Sequence, residues 1–286
     1  MDLWDIKTIR YLSKKYKFDF SKSLGQNFLV DKNICPKIVF ESNISDNIGV
    51  IEIGPGVGVL TVELAKKAKK VVAVEIDKRL VPVLRETLKD YNNIKIINQD
   101  ILKLDIKDLI NKEFSGLDVV VCANLPYYIT SKIIMYLLTC DLNIKSITVM
   151  IQKEVADRIV AEPGSRDTSV LSLATRYYSE PKILFDVSKE SFLPSPKVDS
   201  AVINLLIKKN KAVEVKSEKL FFKVIKAAFE RRRKTIINSL SGVLNINKNI
   251  INNILNKLDI DPNKRAENLS LENFKDISDE LFDIKL

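Results

Sequence analysis

Ile48-Gly-Val-Ile-Glu-Ile-Gly54-Pro-Gly56-Val-Gly58-Val-Leu-Thr-Val-Glu-Leu-Ala65 is the stretch that decides the fold. A short apolar, β-branched run leads into glycines and then into helical periodicity. That is a strand, a tight turn and a helix, the opening βα unit of a nucleotide-binding sheet. The 286-residue chain has only eight glycines, and Gly49, Gly54, Gly56 and Gly58 fall within ten residues. Glycines at such a turn let the backbone approach a ligand closely. A dinucleotide fingerprint, GxGxxG, would need glycine where Val59 stands. The spacing here is GxGxG.

That spacing resembles the S-adenosylmethionine loop of class I methyltransferases, with a plain structural turn as the alternative. The next strand, Val71-Val-Ala-Val-Glu75-Ile-Asp77, is apolar and ends in acids. An acid at the carboxyl end of a second strand can accept hydrogen bonds from both ribose hydroxyls. The methyltransferase pattern places that acid at Glu75, and Asp77 reads as a helix cap. A third strand, Ile94-Lys-Ile-Ile-Asn98, runs into Gln99-Asp100. Asp100 can accept from an adenine amino group, or it can cap a helix or turn.

The most informative segment is Leu117-Asp-Val-Val-Val-Cys-Ala-Asn124-Leu125-Pro126-Tyr127-Tyr128-Ile-Thr-Ser131. A buried strand runs straight into Asn-Leu-Pro-Tyr, at the sheet edge where ligands bind in such folds. Asn-Leu-Pro-Tyr resembles the (Asn/Asp)-Pro-Pro-(Tyr/Phe) motif of enzymes that methylate exocyclic base nitrogens. The chemistry accounts for the residue types. An adenine N6 lone pair is delocalised into the ring and is a poor nucleophile. The Asn124 side-chain oxygen and the Leu125 carbonyl can each accept one N6 hydrogen and aim the lone pair. Pro126 fixes the backbone, and Tyr127 offers a flat face for an extruded base. The amine can lose its proton to water afterwards, so no strong base is needed.

That last point fits the composition, which contains no histidine. Ser-His-Asp, Cys-His and His-ligated zinc chemistry are excluded. Cys35, Cys122 and Cys140 lie far apart with no CxxC, which suggests a reduced intracellular protein without a metal knuckle. All three read as core. Cys122 sits inside the strand rather than at its end, which disfavours covalent pyrimidine methylation. The N-terminus does not read as a signal peptide, and no apolar run approaches the roughly 18 residues of a membrane span. The formal net charge of +9 favours an anionic partner, and nucleic acid is the expected one.

Alternating strands and helices over 48–208 predict an α/β fold with a mostly parallel sheet. The expected organisation is a methyltransferase domain over 1–208 that includes an N-terminal basic helix. A polar linker over 209–216 and a small all-helical domain over 217–286 follow. Residues 219–234 carry seven Lys and Arg against one Glu and end in Arg231-Arg232-Arg233-Lys234. Arginine reads phosphate bidentately and stacks on bases, so this is a candidate RNA-contacting edge, with a solvated helix terminus as the alternative.

Two further segments make the resemblance specific: Ser23-Leu-Gly-Gln26-Asn27-Phe28-Leu29-Val-Asp31, and Phe192-Leu-Pro194-Ser-Pro196-Lys-Val198-Asp-Ser200. Together with the motifs above they are similar to the ribosomal RNA adenine dimethyltransferase family. The similarity is strongest to the branch that dimethylates two adjacent adenosines near the 3′ end of 16S rRNA. This resemblance implies a class I, Rossmann-like fold and S-adenosylmethionine as methyl donor, with no metal. It implies cofactor contacts from Asn27, Leu29, Gly54, Gly56, Glu75, Asp100 and Asn124. Phe192 would stack on the target adenine opposite Tyr127; the alternative is a loop phenylalanine tucked into core. A monomeric cytoplasmic enzyme of ribosome biogenesis is expected, acting on 16S rRNA in a pre-30S particle and not at a membrane. The rival readings are a 23S rRNA adenine methyltransferase conferring antibiotic resistance and a non-catalytic RNA-binding assembly factor. Leu125 and the Phe192 segment favour the small-subunit branch over the former.

Overall fold

A computed structural model describes residues 1–18 and 27–284. Residues 23–26 of the N-terminal motif lie outside the described residues. The chain divides into two compact units, Met1–Ala156 with Pro181–Ile207, and Asp157–Glu180 with Lys208–Leu286.

The first unit begins with helix α1 (Ile6–Tyr16), strand β1 (Phe28–Leu29) and α2 (Ile34–Glu41). The first two strands of the main sheet follow, β2 (Ile48–Ile53) and β3 (Lys70–Glu75), with α3 (Val59–Ala65) between them. Next come α4 (Leu80–Thr87), β4 (Ile94–Asn98), α5 (Ile106–Glu113), β5 (Asp118–Asn124), α6 (Thr130–Thr139) and β6 (Ser146–Gln152). Helices α7 (Lys153–Val160) and α8 (Val170–Tyr178) lead to β7 (Ser179–Val187), β8 (Phe192–Leu193) and β9 (Ser200–Ile207). Seven strands form one sheet in the order β4-β3-β2-β5-β6-β9-β7. Strands β2, β3, β4, β5 and β6 pair in parallel, and β9 runs antiparallel to β6. The expected mostly parallel sheet is observed.

The sequence explains the centre of this sheet. Strands β2, β3, β5 and β6 are near-continuous apolar runs, as strands buried on both faces must be. The edge strand β4 alternates and is only partly buried. Chain order turns around at β2, with β3 and β4 on one side and β5 and β6 on the other. Ligands bind at the carboxyl ends of strands at such a switch point. Gly54, Glu75 and Asn124 stand at the carboxyl ends of β2, β3 and β5.

Helix α1 is pinned to α4, because Glu86 accepts from both Lys15 Nζ and the Tyr16 hydroxyl. Strand β1 pairs with β8 outside the main sheet, setting Leu29 opposite Phe192. This two-stranded ribbon joins motifs that lie far apart in the chain.

The second unit gathers α8 with α9 (Glu218–Glu230), α10 (Ile236–Leu244), α11 (Lys248–Lys257) and α12 (Leu271–Asp283). From Ser217 onward the described residues contain helices and turns only, in line with the helical reading. Aromatic packing explains why α8 joins them. Tyr178 stacks on Phe222 at 5.7 Å, and Tyr177 lies 5.1 Å from Phe221. The Tyr178 hydroxyl donates to Glu218 at 2.5 Å. The stretch expected as a linker is tied to the same helix, with Ala212 N–H donating to Tyr177 O. Neither the aromatic pairing nor residues 157–180 are part of the boundaries expected from sequence.

Candidate active site

One cavity brings together most of the residues singled out by sequence. Its lining includes Asn27, Phe28, Leu29, Gly54, Gly56, Glu75, Asn124, Leu125, Pro126, Tyr127 and Phe192. The loop after β2 forms one wall. Gly54, Gly56 and Gly58 all have positive φ, of 70°, 60° and 95°, which disfavours any side chain there. A Cβ at Gly54 would point toward open space, with only the Asn124 carbonyl as near as 4.0 Å. Backbone conformation and ligand access, not crowding, account for glycine at that position.

Glu75 ends β3 and is 4% exposed. Its Oε1 accepts from Asp77 N–H at 2.7 Å. Burial pushes its carboxyl up to about 7, against the pull of backbone N–H groups from Asp77, Gly56 and Ile76. Asp77 is engaged elsewhere, in a bidentate pair with Arg79 whose shorter contact is 2.7 Å, and its Oδ1 accepts from Arg79 N–H. Asp77 thus holds Arg79, the residue at the N-cap of α4, while Glu75 lines the cavity.

Asp100 does not line the cavity. Its Oδ1 accepts from Leu102 N–H at 3.0 Å and caps a short 3₁₀ turn after β4. The capping role is one of its two readings from sequence. The adjacent Gln99 N–H donates to Glu75 O, so Asp100 lies close to Glu75 without joining the cavity wall.

The Asn-Leu-Pro-Tyr turn is braced from both sides. Leu125 N–H donates to Met150 O at 3.1 Å, and the Pro126 carbonyl accepts from Ile129 N–H and the Thr130 hydroxyl. Asn124 pairs with Met150 in the ladder, which fixes where its side chain starts. The Tyr127 hydroxyl bonds the Ser200 hydroxyl at 2.7 Å. Phe192 is 4% exposed and belongs to the hydrophobic core while also lining the cavity. It therefore combines features of both readings.

Sequence reasoning leaves out Glu52, Tyr128, Ile76 and Met150, all of which line the cavity. Tyr128 is 58% exposed, a second flat ring beside Tyr127. Glu52 is 1% exposed, and burial pushes its carboxyl up to about 8. Its Oε2 and the Thr61 hydroxyl are buried oxygens without a hydrogen-bond partner among the described residues. The signal is present in the sequence, as a lone acid inside a strand otherwise buried and apolar. Burial raises the Cys35 and Cys122 thiols as well, so neither supplies a thiolate, consistent with core cysteines.

The cavity fits S-adenosylmethionine on this geometry. A glycine cradle leaves room for the ligand, and the buried Glu75 carboxyl lines the same cavity at the end of β3. Among the described residues, no group of three His, Cys, Asp or Glu is placed to hold a metal, and no helix is long and apolar enough to cross a membrane.

The family described as "Ribosomal RNA adenine dimethylase" matches residues 17–283. The chain belongs to this family. A relative from Geobacillus sp. (strain WCH70), named ribosomal RNA small subunit methyltransferase A, is 51% identical over 276 residues and covers 95% of both chains. A relative of the same name from Clostridioides difficile (strain 630) is 48% identical, covering 93% of this chain and 92% of its own. The crystal structure of a dimethyladenosine transferase from Plasmodium falciparum superposes with a TM-score of 0.74 at 28% identity, covering 87% of this chain and 95% of that one. That of the 23S rRNA methyltransferase ErmE gives 0.68 at 26% identity, covering 90% and 100%. Membership makes the chain an rRNA adenine dimethyltransferase and implies S-adenosylmethionine as its methyl donor.

In the second unit, Arg231, Arg232, Arg233 and Lys234 are all exposed at the turn between α9 and α10. They are not equivalent. The Arg231 guanidinium lies against Gly242, where a Cβ would come within 2.7 Å of Nη1. Arg232 makes long contacts to the carbonyls of Arg166 and Thr168, at 3.4 and 3.5 Å, and lies 4.0 Å from Glu267. Both side chains therefore also support the local fold.

Proposed function

We propose that this chain dimethylates N6 of two adjacent adenosines near the 3′ end of 16S rRNA. It acts as a cytoplasmic monomer on a pre-30S particle. The observation that carries the reading is the meeting of Gly54, Glu75 and the Asn124–Tyr127 turn at one cavity. The names of the relatives favour the small subunit over 23S rRNA.

When bound, S-adenosylmethionine supplies an electrophilic methyl group on a sulfonium. Asn27, just before β1, and Leu29, paired with Phe192 across the β1–β8 ribbon, would contact it. Gly54 and Gly56 would line the methionine portion, and Glu75 would accept from the ribose hydroxyls. Asp100 is assigned the adenine amino group, which requires its carboxylate to serve as cap and acceptor together. The Asn124 oxygen and the Leu125 carbonyl accept the N6 hydrogens and orient the lone pair. Asn124 would also accept from the methionine amino group. Tyr127 and Phe192 stack on the extruded base, and Pro126 holds the turn.

The test is primer extension on rRNA from a strain lacking the gene. The expected result is loss of the stop at the adenosine pair and its return on complementation. A change confined to 23S rRNA would overturn the small-subunit assignment.

Two variants test the binding surfaces. Glu75→Ala is expected to weaken S-adenosylmethionine by about 1.5–3 kcal/mol, the scale of hydrogen bonds to a charged acceptor. Calorimetry on folded variant reads this directly, and unchanged affinity would remove Glu75 from the site. Replacing Arg231, Arg232, Arg233 and Lys234 with alanine is expected to weaken RNA binding. Its log-log salt dependence should flatten by about 0.7–0.9 for each phosphate no longer neutralised, with cofactor affinity unmoved. Arg233→Ala with Lys234→Ala alone separates the RNA effect from the folding roles of the other two. An identical salt slope would make this turn a solvated helix end.

A further inference from the structure

The bond between Tyr127 and Ser200 connects two motifs that sequence presents separately. Ser200 opens β9, is fully buried, and pairs with Gln152 of β6 in the ladder. It is followed by Ala201, Val202 and Ile203, all buried and apolar. A buried hydroxyl costs free energy unless it is hydrogen-bonded. Its partner is the Tyr127 hydroxyl, 2.7 Å away. The other braces of the Asn124–Tyr127 turn act on its backbone, through Leu125 N–H and the Pro126 carbonyl. They leave the two side-chain torsions of Tyr127 free. The Ser200 hydroxyl holds the ring at its far end.

The neighbouring residue ties in the second aromatic. Asp199 Oδ1 accepts from Lys189 N–H at 3.0 Å, and its backbone carbonyl accepts from Lys153 N–H at 3.0 Å. Lys189 begins the short turn that delivers Phe192. One rigid strand end therefore anchors the Tyr127 ring and, through Asp199, the segment that carries Phe192. Burial raises the Tyr127 hydroxyl above its ordinary range, so the phenol stays protonated and the pair stays neutral at physiological pH.

We propose that Ser200 is a positioning residue for methyl transfer, holding the Tyr127 ring where the extruded adenine stacks. The inference rests on the stacking role given to Tyr127 above. Its effect falls on the fraction of bound RNA whose base is seated, not on docking of the particle or of the cofactor.

The test uses small-subunit particles from a strain lacking the gene, in single-turnover reactions with enzyme in excess. Ser200→Ala and Tyr127→Phe are each expected to slow the plateau rate about 3–10-fold, the equivalent of one net hydrogen bond. Half-saturating enzyme and calorimetric cofactor affinity should stay within about twofold, on the same scale. Partial unfolding would raise the half-saturating concentration and leave the plateau intact, so the two causes separate. The double variant should be no slower than the slower single one, because each change removes the same bond. Ser200→Thr keeps a hydroxyl and should recover most of the rate. Additive losses, or no rescue by threonine, would overturn the proposal. If Tyr127→Ala leaves the plateau rate unchanged, the stacking reading itself fails. If Tyr127→Ala is slow but Ser200→Ala is not, only the role of Ser200 fails.

Discussion

Asn124→Ala is expected to slow methyl transfer by about 10²–10³-fold, the cost of removing one preorganised electrostatic partner of a transition state. N6 becomes cationic as it takes the methyl group, so its hydrogens become better donors. An acceptor aimed at one of them is therefore stronger in the transition state than in the ground state, which is the condition for raising the rate. Asn124 ends β5 in register with Met150, and the next residue is locked by its N–H bond to the Met150 carbonyl, so the backbone that carries the acceptor is fixed. In the first round N6 offers two hydrogens, to Asn124 and to the Leu125 carbonyl. In the second it offers one. The substitution should slow both rounds. Asn124→Asp keeps an acceptor at the same place and should retain more activity than alanine. Single-turnover reactions read by nucleoside mass spectrometry resolve the mono- and dimethylated products. A rate reduction smaller than about threefold in both rounds would remove Asn124 as the acceptor, since even one ordinary net hydrogen bond is worth that much.

The parts of this site that are legible in sequence are those held by backbone. Three closely spaced glycines need positive φ, and parallel strands need long apolar runs, so Gly54, Gly56, Glu75 and Asn124 can be placed by local pattern alone. What escapes depends on contacts between distant segments. Nothing local to Phe28 or Phe192 says that β1 and β8 pair, and nothing local to Ser200 says that its hydroxyl meets Tyr127. Asp100 shows the converse limit. The same residue type at the same strand end serves equally well as cap or as ligand acceptor, and only the structure shows that it caps a 3₁₀ turn. Helix α8 escapes for a related reason. Its helical period is readable, but its membership of the second unit depends on Tyr177 and Tyr178 meeting Phe221 and Phe222.

Glu52 is visible in sequence as an acid within an apolar strand, and it gives the second large effect. Its carboxyl is raised from the ordinary 4.5 to about 8, chiefly by burial. The groups that face it come from four elements. Thr61 on α3 favours the charged form without completing a hydrogen bond, and Glu75 on β3 opposes it. The thiols of Cys35 on α2 and Cys122 on β5 also feel its charge. Between pH 4.5 and about 8 the folded protein keeps a proton that the unfolded chain has released. The folded state thus binds more protons, so this group's contribution to stability falls as pH rises through that window and levels off above it. Glutamine has nearly the same shape and never ionises. Glu52→Gln is therefore expected to match the parent near pH 5 and to exceed it by on the order of 3–5 kcal/mol near pH 8.5. The gain should show in denaturant midpoints of the first unit, measured without cofactor at both pH values. Glu75, raised to about 7, adds a smaller loss of the same sign in both proteins; because the two acids repel, that loss is smaller in the variant, which reinforces the difference. A stability difference between variant and parent that does not change with pH would mean that the Glu52 carboxyl does not titrate in this range. The orphaned oxygen would then be satisfied in solution by a partner such as an ordered water.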